Sequence, residues 1–140
     1  MSTTAMNILH ASPDWVGIAR QVGDRFAARA AQHDRDGAFV AENYADLKDQ
    51  RLFSAGIPAE LGGGDATHAE VCEIVRELGG HCGSTGLSFA MHSHPVCVNV
   101  FKHLRSDEKA TTALGKIAAN ELVIIYELSE SVVIKNSSAQ

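Results

Sequence analysis

Ser84-Thr85-Gly86-Leu87-Ser88-Phe89-Ala90-Met91-His92-Ser93-His94-Pro95-Val96-Cys97-Val98-Asn99-Val100-Phe101 is the stretch on which the fold turns. It is the most apolar segment of its length in the chain, yet it carries two histidines two residues apart. Its bulk (Leu87, Phe89, Met91, Val96, Val98, Val100, Phe101) covers more than one narrow stripe, so a helix made from it is buried on most sides, in the middle of a bundle. Its polar groups are then buried too, at about 1–3 kcal/mol for each one left without a partner. Each needs an internal hydrogen bond or a cavity holding a ligand or water, and the cavity is the expectation here. Pro95 lacks the N–H of a helix interior, which predicts a kink or division just before it, with Val96 to Leu104 as a continuation or a fifth helix.

Upstream, Ser12-Pro13-Asp14 reads as a helix entry, with a hydroxyl cap, a proline at the first helical position and an acid in the first turn. Trp15, Ile18, Ala19, Val22, Phe26 and Ala30 recur at steps of three and four, predicting a helix to near His33. A second helix runs through Val40, Tyr44 and Leu47 to about Phe53, and so short a connection predicts antiparallel packing on the first. Gly56-Ile57-Pro58-Ala59-Glu60-Leu61-Gly62-Gly63-Gly64 breaks the pattern. It is either a flexible connector or a backbone that must come close to something, but it lacks the spacing of a phosphate loop and no strand precedes it. Thr67-x-x-Glu70 is a capping box for a third helix burying Val71, Ile74, Val75 and Leu78, which Gly79-Gly80 should stop.

Downstream, Ser106-Asp107-Glu108 caps a helix that turns Ala110, Ala113, Leu114 and Ile117 inward. Only Leu122 to Tyr126 looks like a strand, and the tail from Ser131 to Gln140 loses all periodicity and is expected to be disordered. The reading is all-α: five or six helices over residues 12–119, after an N-terminal tail of 1–11 and before a strand remnant and tail at 120–140.

Composition excludes several classes of function. With 45% hydrophobic and 21% charged residues, the 140-residue chain has the balance of a globular domain. Its net charge of −5 and lack of a Lys/Arg cluster argue against nucleic-acid binding. No apolar run approaches a membrane span and the N-terminus is not a secretory signal, so a cytoplasmic protein without membrane contact is expected. Cys72, Cys82 and Cys97 are odd in number and widely spaced, which disfavours a disulfide framework.

The order of short motifs resembles the N-terminal helical domain of the acyl-CoA dehydrogenase family. These are Gly56-Ile57-Pro58-Ala59-Glu60-Leu61-Gly62-Gly63, Glu77-Leu78-Gly79, Ser84-Thr85-Gly86-Leu87, Ser106-Asp107-Glu108-Lys109 and Glu121-Leu122-Val123-Ile124-Ile125-Tyr126-Glu127-Leu128-Ser129-Glu130. Together they cover about residues 12 to 130. The resemblance implies a domain of an FAD-dependent oxidoreductase, acting on an acyl-CoA or another hydrophobic small molecule. Ser88, Phe89, His92 and Val96 would contact substrate, and Tyr126, Leu128 and Ser129 would lie against the flavin. After Glu130 the match stops, with Ser131 where proline is expected and Val132-Val133-Ile134-Lys135-Asn136 in place of a glycine-serine-aspartate run. The family's catalytic glutamate belongs to a part not found here, so no catalytic residue is assigned. The chain reads as a fragment that is inactive alone and holds FAD weakly or not at all.

His92 and His94 with Cys97 invite a metal site, but residues two apart on a helix point about 200° from each other, and no tetrahedral set is available. No metal is expected. His92 is either a buried histidine bonded to a carbonyl freed near Pro95 or a residue of the substrate pocket. In the second case the resemblance also allows a flavin-dependent monooxygenase of the same fold, for example one acting on sulfur heterocycles or aromatic acids, where a histidine can steady a flavin peroxide or a substrate oxygen. The alternative from another class is a non-catalytic helical interaction module. Apolar helix faces and an unpaired strand predict a homo-oligomer.

Overall fold

The computed structural model describes residues 12–126 and 131–133. Five α-helices precede a two-stranded hairpin: α1 (Trp15–Asp36), α2 (Ala41–Asp49), α3 (His68–His81), α4 (Gly83–His103), α5 (Glu108–Asn120), β1 (Ile124–Tyr126) and β2 (Ser131–Val133). One-turn 3-10 helices at Leu52–Ser54 and Ala59–Leu61 lie between α2 and α3. The bundle is the all-α domain that the periodicity predicts.

Helix ends follow local chemistry. Asp14, rather than Ser12, caps α1, its side chain accepting the Gly17 N–H at 2.9 Å. Past His33 the helix continues to Gly37, whose φ of 58° is the left-handed turn that glycine adopts cheaply. The Thr67–Glu70 capping box forms in both directions, and Asp107 caps α5. The second helix ends early, at Asp49, because Arg51 takes a left-handed conformation before the Leu52–Ser54 turn. The expected antiparallel pairing of α1 with α2 is minor, and α1 packs chiefly on α3.

Two glycine readings change once neighbours are present. Gly79-Gly80 does not stop α3, which runs on to His81. A Cβ on Gly86 of α4 would collide with the Gly79 backbone, so these glycines let two helix backbones approach instead of ending one. In the Gly62–Gly64 turn, a Cβ on Gly63 would strike Ile57 O and one on Gly64 the Trp15 ring. Trp15 Nε1 donates to Gly64 O at 3.1 Å. The close approach is to the chain's own core.

α4 is one helix through Pro95, not two. It joins both apolar clusters: Phe89 packs with Trp15, Phe26, Leu47, Phe53 and Leu78 in one, Val96 with Ile57, Leu114 and Ile117 in the other. Its burial is one-sided, contrary to the expectation of burial on most sides. Thr85, Phe89, His92, Ser93 and Val96 face inward, while Leu87, Met91, Phe101 and Leu104 beyond its end are exposed at 65%, 44%, 56% and 72%.

β1 is shorter than expected and is not an unpaired edge. It pairs antiparallel with β2, Ile124 opposite Val133 and Tyr126 opposite Ser131. The segment expected to be disordered from Ser131 thus begins with a strand, and residues 134–140 lie outside the described residues. Among the described residues no helix is long and apolar enough to cross a membrane.

Candidate functional site

The inner face of α4 brings three of the four expected substrate residues together. Phe89, His92 and Val96 lie one turn apart and line the same void, with Phe53, Ser93 and Cys97. That void measures only about 10 Å³, the least that admits one water, so the expected cavity is not what serves the buried polar groups of α4: His92, Ser93 and Thr85 bond within the protein instead. Ser88 stands apart on the half-buried flank, its hydroxyl donating to Ser84 O at 2.9 Å within its own helix.

His92 is 1% exposed and holds two distant backbone groups. The Ile124 N–H donates to Nδ1 at 3.0 Å, and Nε2 lies 2.8 Å from Phe53 O. A backbone amide can only donate and a carbonyl can only accept, so Nδ1 is bare and Nε2 carries the proton. Burial pushes the pKa down to about 4, against the weaker opposing pull of the Phe53 carbonyl, and the ring is neutral at neutral pH. The Phe53 ring meets it edge-on at 5.1 Å. The expected partner, a carbonyl freed near Pro95, is therefore not the one His92 uses. Asn99 Nδ2 donates to Pro95 O, and Ser93 Oγ to Phe89 O, each one turn back along α4.

Behind the same turn lies a group that the sequence reading passed over. Glu121, 6% exposed, accepts a hydrogen bond from Ser54 Oγ through Oε1, and Arg51 Nη2 stands 3.7 Å away. Burial raises its pKa, outweighing the Ser54 hydroxyl, the Arg51 charge and the pull of the Ser54 and Phe53 backbone N–H groups, and Oε2 makes no hydrogen bond among the described residues. Its signal was available in the helical register, since Glu121 follows Leu114, Ile117 and Ala118 at steps of three and four on the buried stripe of α5. A second buried tie, Asn43 Nδ2 to Thr85 Oγ1 at 2.8 Å, joins α2 to α4 and was equally unforeseen.

Among the described residues, two grooves on the surface stand out. One of about 1020 Å³ runs between α5 and β1, past Lys109, Ala113, Lys116, Ile117, Leu122 and Ile124. The other, about 200 Å³, is walled by Val71, Cys97, Val100, Phe101 and Leu104, with His68 at its edge. His68 has Cys72 Sγ 3.7 Å from Nε2 and Cys97 Sγ 3.8 Å from Nδ1, which puts the thiols on opposite ring nitrogens. Among the described residues no three His, Cys, Asp or Glu side chains are grouped to hold a metal, and His92 and His94 face opposite ways, one buried and one exposed.

Of the residues expected at a flavin, only the Tyr126 backbone is described, in β1, and Leu128 and Ser129 lie outside the described residues. The glycine-rich turn, filled by Ile57 and Trp15, offers no cradle for a phosphate.

A long apolar helix shared by two cores, flanked by capped helices and followed by a strand, defines an all-α domain. Residues 17–121 match the acyl-CoA dehydrogenase N-terminal domain, and the chain belongs to that family. It is 30% identical over 120 residues to the dibenzothiophene monooxygenase of Mycolicibacterium goodii, an alignment covering 85% of this chain and 28% of that protein. It is 34% identical over 82 residues to the dibenzothiophene monooxygenases of Rhodococcus erythropolis and Rhodococcus qingshengii, covering 59% of this chain and 20% of each. The chain thus spans less than a third of the length of these relatives. No solved structure matches it significantly.

Proposed function

We propose that this chain forms one helical wall of the substrate site of a flavin-dependent oxidoreductase of the monooxygenase branch, with a flat hydrophobic heterocycle as substrate rather than a fatty acyl-CoA. The observation that carries this reading is the alignment of 85% of the chain with a protein named for dibenzothiophene oxidation. The outward stripe of α4, Leu87, Met91 and Phe101, supports it by offering apolar and aromatic contact with little charge. Phe89, His92 and Val96 form the closed back of that wall and Ser88 its rim. FAD is the cofactor of the reading and supplies the redox chemistry when bound, beside Tyr126, Leu128 and Ser129.

This chain's own part is to position and to exclude water. Neutral His92 keeps both nitrogens on backbone groups and so holds the wall to β1, while the apolar stripe favours an uncharged ligand. No carboxylate is assigned as a base for an acyl α-proton, and the chain by itself holds FAD weakly. A cytoplasmic setting and self-association through the open apolar faces complete the proposal.

The test is direct. The chain is titrated with dibenzothiophene and separately with an acyl-CoA while the amide and methyl signals of α4 are followed, and its visible spectrum is recorded after loading with FAD and desalting. Shifts along Leu87, Met91 and Phe101 with the heterocycle, none with the acyl-CoA, and a colourless desalted protein are expected. A stoichiometric yellow complex that oxidises an acyl-CoA would overturn the reading.

A further inference from the structure

Resting on the flavin-site reading above, we propose that Glu121 is a positioning residue: with His92 it fixes the point where the chain leaves α5 and enters β1, and so sets where β1 lies. Two tethers converge on one turn of backbone. Glu121 takes the Ser54 hydroxyl, and His92 takes Phe53 O while accepting the Ile124 N–H. The residues from 121 to 124 are therefore held at both ends against the Leu52–Ser54 turn, and β1 starts from a fixed place on α4.

The conformation at the junction points the same way. Glu121 ends α5 with a φ of 48°, a left-handed geometry that α1 assigns to Gly37. Glycine would meet that backbone demand with less strain, so the side chain here serves something the turn alone does not require. Arg51 faces the carboxylate at 3.7 Å but is committed to Gly62 O and Ala118 O, each at 3.0 Å, and it neutralises the charge only in part. No other charged group acts on Glu121, since His92 on the far side of Phe53 is neutral. Oε2 is left buried without a hydrogen bond among the described residues. A carboxyl held this way titrates above its ordinary range, and its proton couples to the placing of β1.

The experiment follows the Ile124 amide and the His92 ring nitrogens by NMR through a pH titration of the full chain, together with amide exchange. The Ile124 amide shift is expected to show a step with a midpoint above the ordinary carboxylate range, absent in Glu121→Gln. Removing the buried partner in Glu121→Ala should lower Ile124 protection about tenfold or more, with α1 and α3 still protected and Glu121→Gln restoring it. If Glu121→Ala does not fold, Ser54→Ala carries the test, since losing the hydroxyl that stabilises the carboxylate must move the step to higher pH. A step above the ordinary carboxylate range at Ile124 that survives Glu121→Gln, stays put in Ser54→Ala, or never appears overturns the proposal, whereas a step near pH 4 belongs to His92 itself. The flavin reading fails separately, on the visible spectrum and the ligand titrations.

Discussion

The two faces of α4 are made from the same kinds of residue and meet opposite ends. On the inner face Phe89, His92 and Val96 are 2%, 1% and 4% exposed, and the polar group among them has both nitrogens bonded. On the outer face Leu87 and Phe101 are more than half exposed, and Phe101 walls a groove of about 200 Å³. Hydropathy alone does not distinguish the faces. The inner one is completed by elements of this chain, whereas the outer one is apolar surface without a cover among the described residues, the kind that marks a ligand or partner site.

The sharpest way to break this comparison is a pair of truncations to alanine, one on each face. Phe89→Ala removes a ring that packs on Phe53 at 6.0 Å and should cost about 3–5 kcal/mol in urea unfolding. Leu87→Ala should change stability by less than about 0.5 kcal/mol. Equal losses would mean that the outer face is covered in solution.

The second prediction uses pH. Folding lowers the His92 pKa from 6.5 to about 4, so between these values the unfolded chain binds the extra proton. The contribution is fully present above about pH 6.5 and is lost as pH falls toward 4, amounting to about 3 kcal/mol. Glu121 acts in the opposite sense: its raised pKa favours the fold at low pH, and that contribution fades as pH rises through the folded value. Urea midpoints across this range should fall on acidification in the parent chain, and His92→Gln, which can still accept and donate, should flatten the dependence. An unchanged slope in the variant would locate the titrating group elsewhere.

A smaller effect calibrates local against tertiary stabilisation. Thr67→Ala removes the cap that accepts the Glu70 N–H and should cost about 1 kcal/mol, well below Phe89→Ala. The smallest effect is expected from Met91→Ser with Leu87→Ser. Stability should hold within about 0.5 kcal/mol while self-association measured by light scattering falls. Unaltered association would move the sticky surface to the groove between α5 and β1.

Much of the helical frame was legible from residues alone. The stepped apolar positions of α1, the Thr67–Glu70 box and the Asp107 cap are short-range devices whose partners lie within four residues, so their chemistry can be read along the line of the chain. The family resemblance rested on the order of those same elements, and the match over residues 17–121 agrees with it. Less could be read at the site, where the spacing placed Phe89, His92 and Val96 on one face but not whether that face opens to a ligand.

What the amino-acid sequence by itself determined is therefore the helices, most of their caps and the apolar character of α4. Tertiary structure alone decided that α3 passes through Gly79-Gly80, because the α4 backbone at Gly86 needs that approach. It also chose the partners of the buried polar groups: Phe53 for His92 across 39 residues, Ile124 across 32, and Ser54 for Glu121 across 67. The physical reason is one of range. Periodicity and capping act within a turn, while a buried imidazole or carboxyl bonds to whichever backbone group packing leaves beside it, and that neighbour is fixed only when the bundle closes.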